Sequence, residues 1–378
     1  MREFIPSFFK IILRLFYYNQ ERVRFFREFA IRKHQNINIK KLDRQSKKII
    51  LFLIEGADFS TGKDRISGGI ISIVSICEAS SGMISVHGAQ TILCTLPQER
   101  LLEKHTQFAN NTPVFRFSQL SYFKAREEVL VHVPEYLVVH FIKLLTEHKL
   151  KWLKGAPKLH VNILNQSIKL MPEPGVISRL KNHCNKLTIT TAHQQYCSAQ
   201  FRNFYQVPIH KFSVWISPEK YSYKNYSEKD NLLIVSPDAH PQREEILNLL
   251  SFISGLKIQV INNLTYEQYK QVISKAKWAL TFGEGLDGYF IEPIFSGAVS
   301  FAVFNNDFFT SDFSRLDTVY SSFDAMKKKI ADDILRLDTE NPYTDYQAEQ
   351  FNLCAKYYSV TEYSNNIRKF YQGNYTYA

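Results

Sequence analysis

The sequence predicts an α/β protein made of two doubly wound domains that face each other. Three observations carry this expectation. The chain has 378 residues, more than one ordinary core supports. Short apolar runs alternate with helical segments in two stretches of similar size, the pattern of parallel sheets covered by helices. Between the stretches, residues 220–230 are polar, rich in tyrosine and irregular, which marks a boundary. The expected division is a basic N-terminal extension over 1–47, a first domain over 48–217, a second over 218–340 and terminal helices over 341–378.

Taken in order, residues 3–18 place Phe4, Ile5, Phe8, Phe9, Ile12, Leu15 and Phe16 at helical spacing, with Lys10 and Arg14 off the apolar stripe. Residues 49–54 are an unbroken apolar run, read as a central parallel strand. A loop over 55–67 follows, then Gly68-Gly69 and a helix from 70 to about 80. The segment Gly56 to Lys63 resembles a phosphate-binding P-loop but fails it. Five residues separate Gly56 from Gly62 where four are needed, and Asp64 stands where a hydroxyl must hold magnesium. Further strands are expected at 91–95, 129–133, 158–164, 187–191 and 211–216, with helices over 137–148 and 195–204. The second domain reads as strands at 232–235, 257–261, 278–282 and 299–304 with helices over 243–254, 265–274, 289–296 and 324–337. Val319 lies on a short edge element, and 346–371 reads as one or two helices.

Composition excludes several classes. With 45% hydrophobic and 22% charged residues and no run of 18 apolar residues free of charge, the chain reads as globular without a spanning helix. Five cysteines without a CxxC read as reduced thiols, so a cytoplasmic setting is expected. No small-residue cleavage site follows the N-terminal apolar run, so no signal peptide is expected. Of the net charge of +11, +9 lies in residues 1–48. A basic tail on a nearly neutral body suggests that residues 1–33 meet an anionic membrane surface, at its inner face. Packing on the protein's own body is the alternative for this helix. No recognition motif supports a nucleic-acid partner.

The chemistry concentrates in one stretch. The strand at 278–282 runs into a loop with Gly283, Gly285 and Gly288 and then a helix, an arrangement that presents backbone N–H groups to an anion. Glu284 and Glu292 bracket it. The nine residues Glu284-Gly285-Leu286-Asp287-Gly288-Tyr289-Phe290-Ile291-Glu292 form an E-x7-E pattern. With Ser296-Gly297-Ala298-Val299 after it and Leu264 to Tyr269 before it, the stretch resembles the signature of retaining glycosyltransferases of family 4, which have the GT-B fold. Ser67-Gly68-Gly69 resembles that family's acceptor-side glycine loop. The terminal segment with Tyr357-Tyr358-Ser359 and Glu362 resembles the piece that crosses back to the first domain.

The resemblance implies a nucleotide-sugar donor on the second domain and a glycan or lipid-linked acceptor on the first. Glu292 would bind the ribose diol and Glu284 the donor sugar's hydroxyls. The backbone from Gly285 through Leu286, Asp287, Gly288 and Tyr289 would hold the diphosphate, and Arg243 would stabilise the leaving phosphate. The family's basic residue after the first strand of this domain is absent. Pro237 and Asp238 stand there, and Ser236, His240 and Arg243 are the candidates around the gap. Asp287, in place of an uncharged residue, puts a third carboxylate beside the anion. In the first domain, His193 with Asp58, Gly68, Gly69 and Asn165 are the candidates, alongside Asn162 and Gln166. Each also fits a plainer role: Glu284 and Glu292 as surface and helix-start acids, Arg243 as a solvated helix residue, His193 as a structural histidine, the amides as turn formers. No HExxH or Asp-x-Asp occurs, so neither a metal nor another cofactor is expected. Two rivals stay open. One is another GT-B enzyme, an inverting transferase or a nucleotide-sugar epimerase. The other is a non-catalytic partner subunit.

Overall fold

The computed structural model describes residues 19–56, 68–97, 101, 112–262 and 264–378. Two parallel sheets organise it. The first holds β1 (Lys48–Ile54), β2 (Gln90–Thr95), β3 (Val114–Arg116), β4 (Glu128–Pro134), β5 (Lys158–Asn165), β6 (Lys186–Thr191) and β7 (Ile209–Lys211), in the order β3-β2-β1-β4-β5-β6-β7. The second holds β8 (Asp230–Val235), β9 (Lys257–Val260), β10 (Ala276–Leu280), β11 (Val299–Val303) and β12 (Val319–Tyr320), in the order β12-β11-β10-β8-β9. In both, the order reverses beside the first strand of the unit. That leaves a crevice at the carboxyl ends of the strands, where open α/β sheets take ligands.

The apolar runs are unbroken because both faces are covered. In β1, Ile49, Leu51 and Leu53 enter one core and Ile50, Phe52 and Ile54 the opposite one. The second face of β4 to β6 is polar instead. His132, Asn162 and Thr188 lie side by side in register, and the amide of Asn162 bonds His132, Thr188 and Thr190 at 2.8–3.0 Å. Phe212 and Phe370 cover this ladder.

The strand expected at 211–216 ends at Lys211. Ser213 has a φ of 70°, so the chain turns out of the sheet there. The following Val214, Trp215 and Ile216 are apolar because they pack into the second domain's core, as the first crossing between domains. The return crossing lies between the Glu340–Tyr357 helix, packed on the second domain, and the Val360–Tyr371 helix, packed on the first. Tyr377 then pairs with Ile209 as an antiparallel bridge at the edge of β7.

In the Asn19–Ile39 helix, Ile31, Gln35 and Ile39 are buried against the first domain, and the Gln35 amide donates to Val114 O at 2.8 Å. The preceding turns present Phe25, Phe26 and Phe29 at 45%, 60% and 61% exposure. Residues 1–18 lie outside the described residues, so of the segment over 1–33 expected to meet a membrane only the second half is seen. No described helix is long and apolar enough to cross a membrane.

Candidate active site

Between the carboxyl ends of the two sheets lies a cleft of about 780 Å³, walled by both domains, within the range of small-molecule sites. The second domain's wall is the 281–292 stretch. Ser236, buried at the end of β8, accepts the N–H of Phe282 at 3.0 Å and so ties the ends of β8 and β10 together. Thr281 closes the loop: its hydroxyl donates to Asp287 Oδ2 at 2.8 Å and accepts the N–H of Gly283 at 3.1 Å. Gly285 has a φ of 90°, and a Cβ there would lie 2.5 Å from the Phe309 ring and 2.7 Å from Val303 O; only glycine fits. Asp287 caps the Gly288–Phe295 helix, its Oδ1 accepting the Phe290 N–H at 3.1 Å.

Glu292 is buried, 5% exposed, on the cleft wall. Its Oε2 accepts the Tyr266 hydroxyl at 3.0 Å, and Tyr221 meets Tyr266 at 3.0 Å. The other oxygen faces Gly288, where a Cβ would come within 2.8 Å of Oε1. Burial pushes Glu292 up to about 8; the two tyrosine hydroxyls oppose the shift and Asp287 adds to it. Burial also lifts Asp287 to about 7, opposed by Thr281 and reinforced by Asp238. The Glu284 carboxyl is raised as well, by desolvation first, with Lys169 opposing and Asp238 adding. Leu286 and Tyr289 complete this wall.

On the facing wall stand Gly68 and Gly69 at the start of the Gly68–Ser81 helix, Gln166, Ser167, His193 and Glu135. The Gln166 amide donates to Gly69 O at 3.1 Å, tying the glycine helix to the end of β5. Burial lowers His193 to about 4, against a bond with the Gln166 backbone, so it is neutral near pH 7. The Glu135 carboxyl follows β4 directly and is lifted to about 7, by burial first. The walls approach nearby, where Lys169 pairs with Asp307 at 3.1 Å and His193 meets the Phe308 ring at 5.3 Å.

Several expected site residues stand elsewhere. The Arg243 guanidinium donates to Pro237 O at 3.2 Å and Asp238 O at 2.8 Å and does not line the cleft. Its helix starts where expected, but the 236–242 loop folds back and takes up its Nη1, while its Nε is buried with no hydrogen-bond partner among the described residues. The His240 ring stacks on Phe323 at 3.7 Å, and Ser236 acts as the tie described above; neither lines the cleft. Asn162 belongs to the buried ladder. Asn165 is buried off the cleft wall, and its side-chain amide has no hydrogen-bond partner among the described residues. Asp58 lies outside the described residues. Asp287, expected beside the anion, spends both oxygens inside the protein and already occupies the helix start proposed for the diphosphate.

Two cleft carboxylates were not singled out from the sequence as site residues, Glu135 and Asp238. Both directly follow the end of a parallel strand or its first turn, a positional signal that sequence carries. With Glu284, Asp287 and Glu292 they make five carboxyl groups on the described walls, with no Lys or Arg among the lining residues. Cations that act on them stand just outside, Lys169 on Glu284 and both Lys220 and Lys270 on Glu292. Among the described residues no group of three His, Cys, Asp or Glu is placed to hold a metal ion.

No protein-family model and no curated protein matches the chain. Solved structures do. The Anabaena protein HepE in complex with UDP superposes with a TM-score of 0.51 at 8% identity, covering 86% of this chain and 100% of that one. The same protein with UDP-glucose gives 0.52 at 10% identity over 86% and 99%. Sucrose-phosphate synthase from Thermosynechococcus elongatus gives 0.54 at 11% identity over 86% and 98%. The chain has the GT-B fold. At such identities the likeness is one of architecture. Within a GT-B frame the two sheets are the two halves of the fold, and the cleft between them is the interdomain crevice.

Proposed function

We propose that the protein is a glycosyltransferase that takes a nucleotide-activated sugar in this cleft and passes the sugar to an acceptor hydroxyl. One observation carries the reading: a buried carboxylate, Glu292, sits on the second wall of a GT-B crevice with one oxygen fixed by Tyr266 and the other turned to a residue without a side chain. Once Glu292 gives up its proton, which in the empty cleft it holds until about pH 8, a ribose diol donating to the carboxylate makes charge-assisted hydrogen bonds, worth about 1.5–3 kcal/mol each when buried. Glu284, on the same wall and turned to the cleft, takes the donor sugar's hydroxyls. The aromatic and apolar groups Ile261, Leu264, Tyr269 and Tyr289 give the base and ribose a dry flank. The E-x7-E resemblance supports retention of anomeric configuration. In this reading the diphosphate is held without a metal ion. Since the Arg243 Nη1 is held by its own loop, the positive field comes from Lys169, Lys220 and Lys270 at the margins.

The acceptor belongs to the first wall. A lipid-linked or membrane-assembled glycan, as in bacterial surface polysaccharide synthesis, is supported by the basic N-terminal extension and by Phe25, Phe26 and Phe29 standing exposed on its helix. The protein would then sit at the cytoplasmic face as a peripheral enzyme.

The test is incubation of the full chain with UDP-, GDP- and dTDP-sugars, scored by release of the nucleoside diphosphate and by proton NMR of the product. Release with a retained anomer is expected. An inverted anomer removes the retaining assignment and keeps the transferase. Binding of a nucleotide with no turnover of any donor favours the partner-subunit rival.

A further inference from the structure

The hydrogen bond that fixes Glu292 also decides how much of the carboxylate a nucleotide can use. Tyr266 opens the Tyr266–Lys275 helix, where the Thr265 hydroxyl accepts the Gln268 N–H at 3.3 Å and the Gln268 side chain accepts the Thr265 N–H at 2.9 Å. Its ring meets Trp215 edge-on with centroids 5.6 Å apart, and the Lys270 ammonium lies over it at 5.3 Å. Held this way, its hydroxyl donates to Glu292 Oε2 at 3.0 Å and meets the Tyr221 hydroxyl at 3.0 Å. A hydroxyl has one proton to donate. That of Tyr266 goes to the carboxylate, so that of Tyr221 goes to the Tyr266 oxygen. Burial first, and then the charge of Glu292, push the Tyr266 hydroxyl's pKa up, so it keeps its proton through the neutral range. The two oxygens of Glu292 therefore differ. Oε2 has a permanent donor inside the protein. Oε1 lies beside Gly288, a cleft residue without a side chain, where a Cβ would come within 2.8 Å of it.

We propose that Tyr266 sets the nucleotide class of the donor: it occupies one oxygen of Glu292, leaves Oε1 to read the 3′-hydroxyl alone, and so admits 2′-deoxyribonucleotide sugars such as dTDP-sugars alongside ribonucleotide ones. This rests on Glu292 as the ribose ligand and narrows that role from the diol to one hydroxyl. The assignment of hydroxyls follows from the walls. Tyr266 comes shortly after Ile261 and Leu264, which flank the base, so Oε2 is on the base side. Gly288 belongs to the loop that carries Glu284 and Asp287, so Oε1 is on the diphosphate side. In a nucleotide the 2′-hydroxyl is one carbon from the base attachment, and the 3′-hydroxyl is one carbon nearer the diphosphate. A site rejects an analogue that lacks a hydroxyl when the loss leaves a buried group unpaired. Without the 3′-hydroxyl, Oε1 loses its charge-assisted partner. Without the 2′-hydroxyl, Oε2 still has Tyr266.

The experiment is calorimetric titration of wild type and Tyr266→Phe at about pH 8.5, where most of Glu292 is ionised. The probes are the ribonucleoside diphosphate that wild type binds most tightly among UDP, GDP, ADP and CDP, and its 2′-deoxy and 3′-deoxy forms. Wild type binds the 2′-deoxy form within about threefold of the parent and the 3′-deoxy form about 10- to 100-fold more weakly. Tyr266→Phe keeps the ring and frees Oε2 for the 2′-hydroxyl, so its preference for the parent over the 2′-deoxy form rises to about tenfold. A wild type that loses tenfold or more with the 2′-deoxy form overturns the proposal and leaves Glu292 as the ribose ligand. So does a folded Tyr266→Phe protein that binds all three more weakly by one factor or keeps the wild-type ratios. If Tyr266→Phe does not fold, the wild-type ratios decide alone. Equal affinity of wild type for the three forms, or no binding of any ribonucleoside diphosphate, overturns Glu292 as the ribose ligand, and this assignment with it.

Discussion

Replacing Glu292 with glutamine keeps the hydrogen bond from Tyr266 and removes the charge, so it isolates the cost of holding an ionised carboxylate in the cleft wall. The folded protein holds this proton until about pH 8, against an ordinary value of 4.5. Between those values the folded state binds more protons than the unfolded state, so wild-type stability falls as pH rises through the window. From about pH 5 to pH 8 the loss is roughly 4 kcal/mol, at 1.36 kcal/mol for each tenfold change in proton concentration. Glu292→Gln has no such loss. The variant should match wild type near pH 5 and exceed its stability by that order above pH 8. Urea unfolding at both pH values, read by a probe in the second domain, checks it. A difference between the proteins that does not change with pH would refute the reasoning, since it would mean that Glu292 is ionised at ordinary pH in the empty cleft.

Three further outcomes follow from the same geometry. Asp287→Asn keeps the helix cap and removes a carboxylate beside the anion site; it should tighten UDP binding severalfold at about pH 8.5 and leave it unchanged at about pH 6, where Asp287 is protonated. Equal ratios at both pH values in calorimetry would contradict this. Gly285→Ala forces a left-handed backbone and a clash with Phe309 and Val303 O, and should cost about 3 kcal/mol or more; an unchanged melting temperature would show that the loop relaxes. Deletion of residues 1–30 removes the basic segment and the exposed Phe25, Phe26 and Phe29 while sparing the packed half from Ile31 onward. It should release the protein from anionic vesicles in flotation with hydrolysis of the donor intact, and continued flotation would end the membrane assignment.

Strands buried on both faces were legible because their composition has a physical cause: the runs 49–54, 232–235 and 278–280 are apolar because both of their faces are covered. The same rule misled at 211–216, where Val214, Trp215 and Ile216 are apolar because a linker packs into the neighbouring domain's core. The 281–292 stretch was legible as a loop and helix start because glycine spacing and an acid at the cap have local causes. What local reasoning could not supply was the destination of side chains. Arg243 had the right type and the right helix for a phosphate ligand, yet its own loop returns to hold its Nη1 away from the cleft. Glu135 had no motif at all, and only the sheet order brings it opposite Glu284. Asn162 looked like a strand-end amide and proved to be a rung of a buried polar ladder, because its neighbours in register are His132 and Thr188 on other strands.

The proposed activity depends on Glu292 as the ribose ligand of a nucleotide-sugar site. Calorimetric titration of wild type and Glu292→Ala tests this most directly, using the nucleoside diphosphate that gives the largest thermal shift with wild type. If Glu292 holds the ribose, wild type binds at a single site and the variant loses about 2–4 kcal/mol, roughly 30- to 1000-fold in affinity. Equal affinity in the two proteins, or a wild type that binds no nucleoside diphosphate, would contradict it.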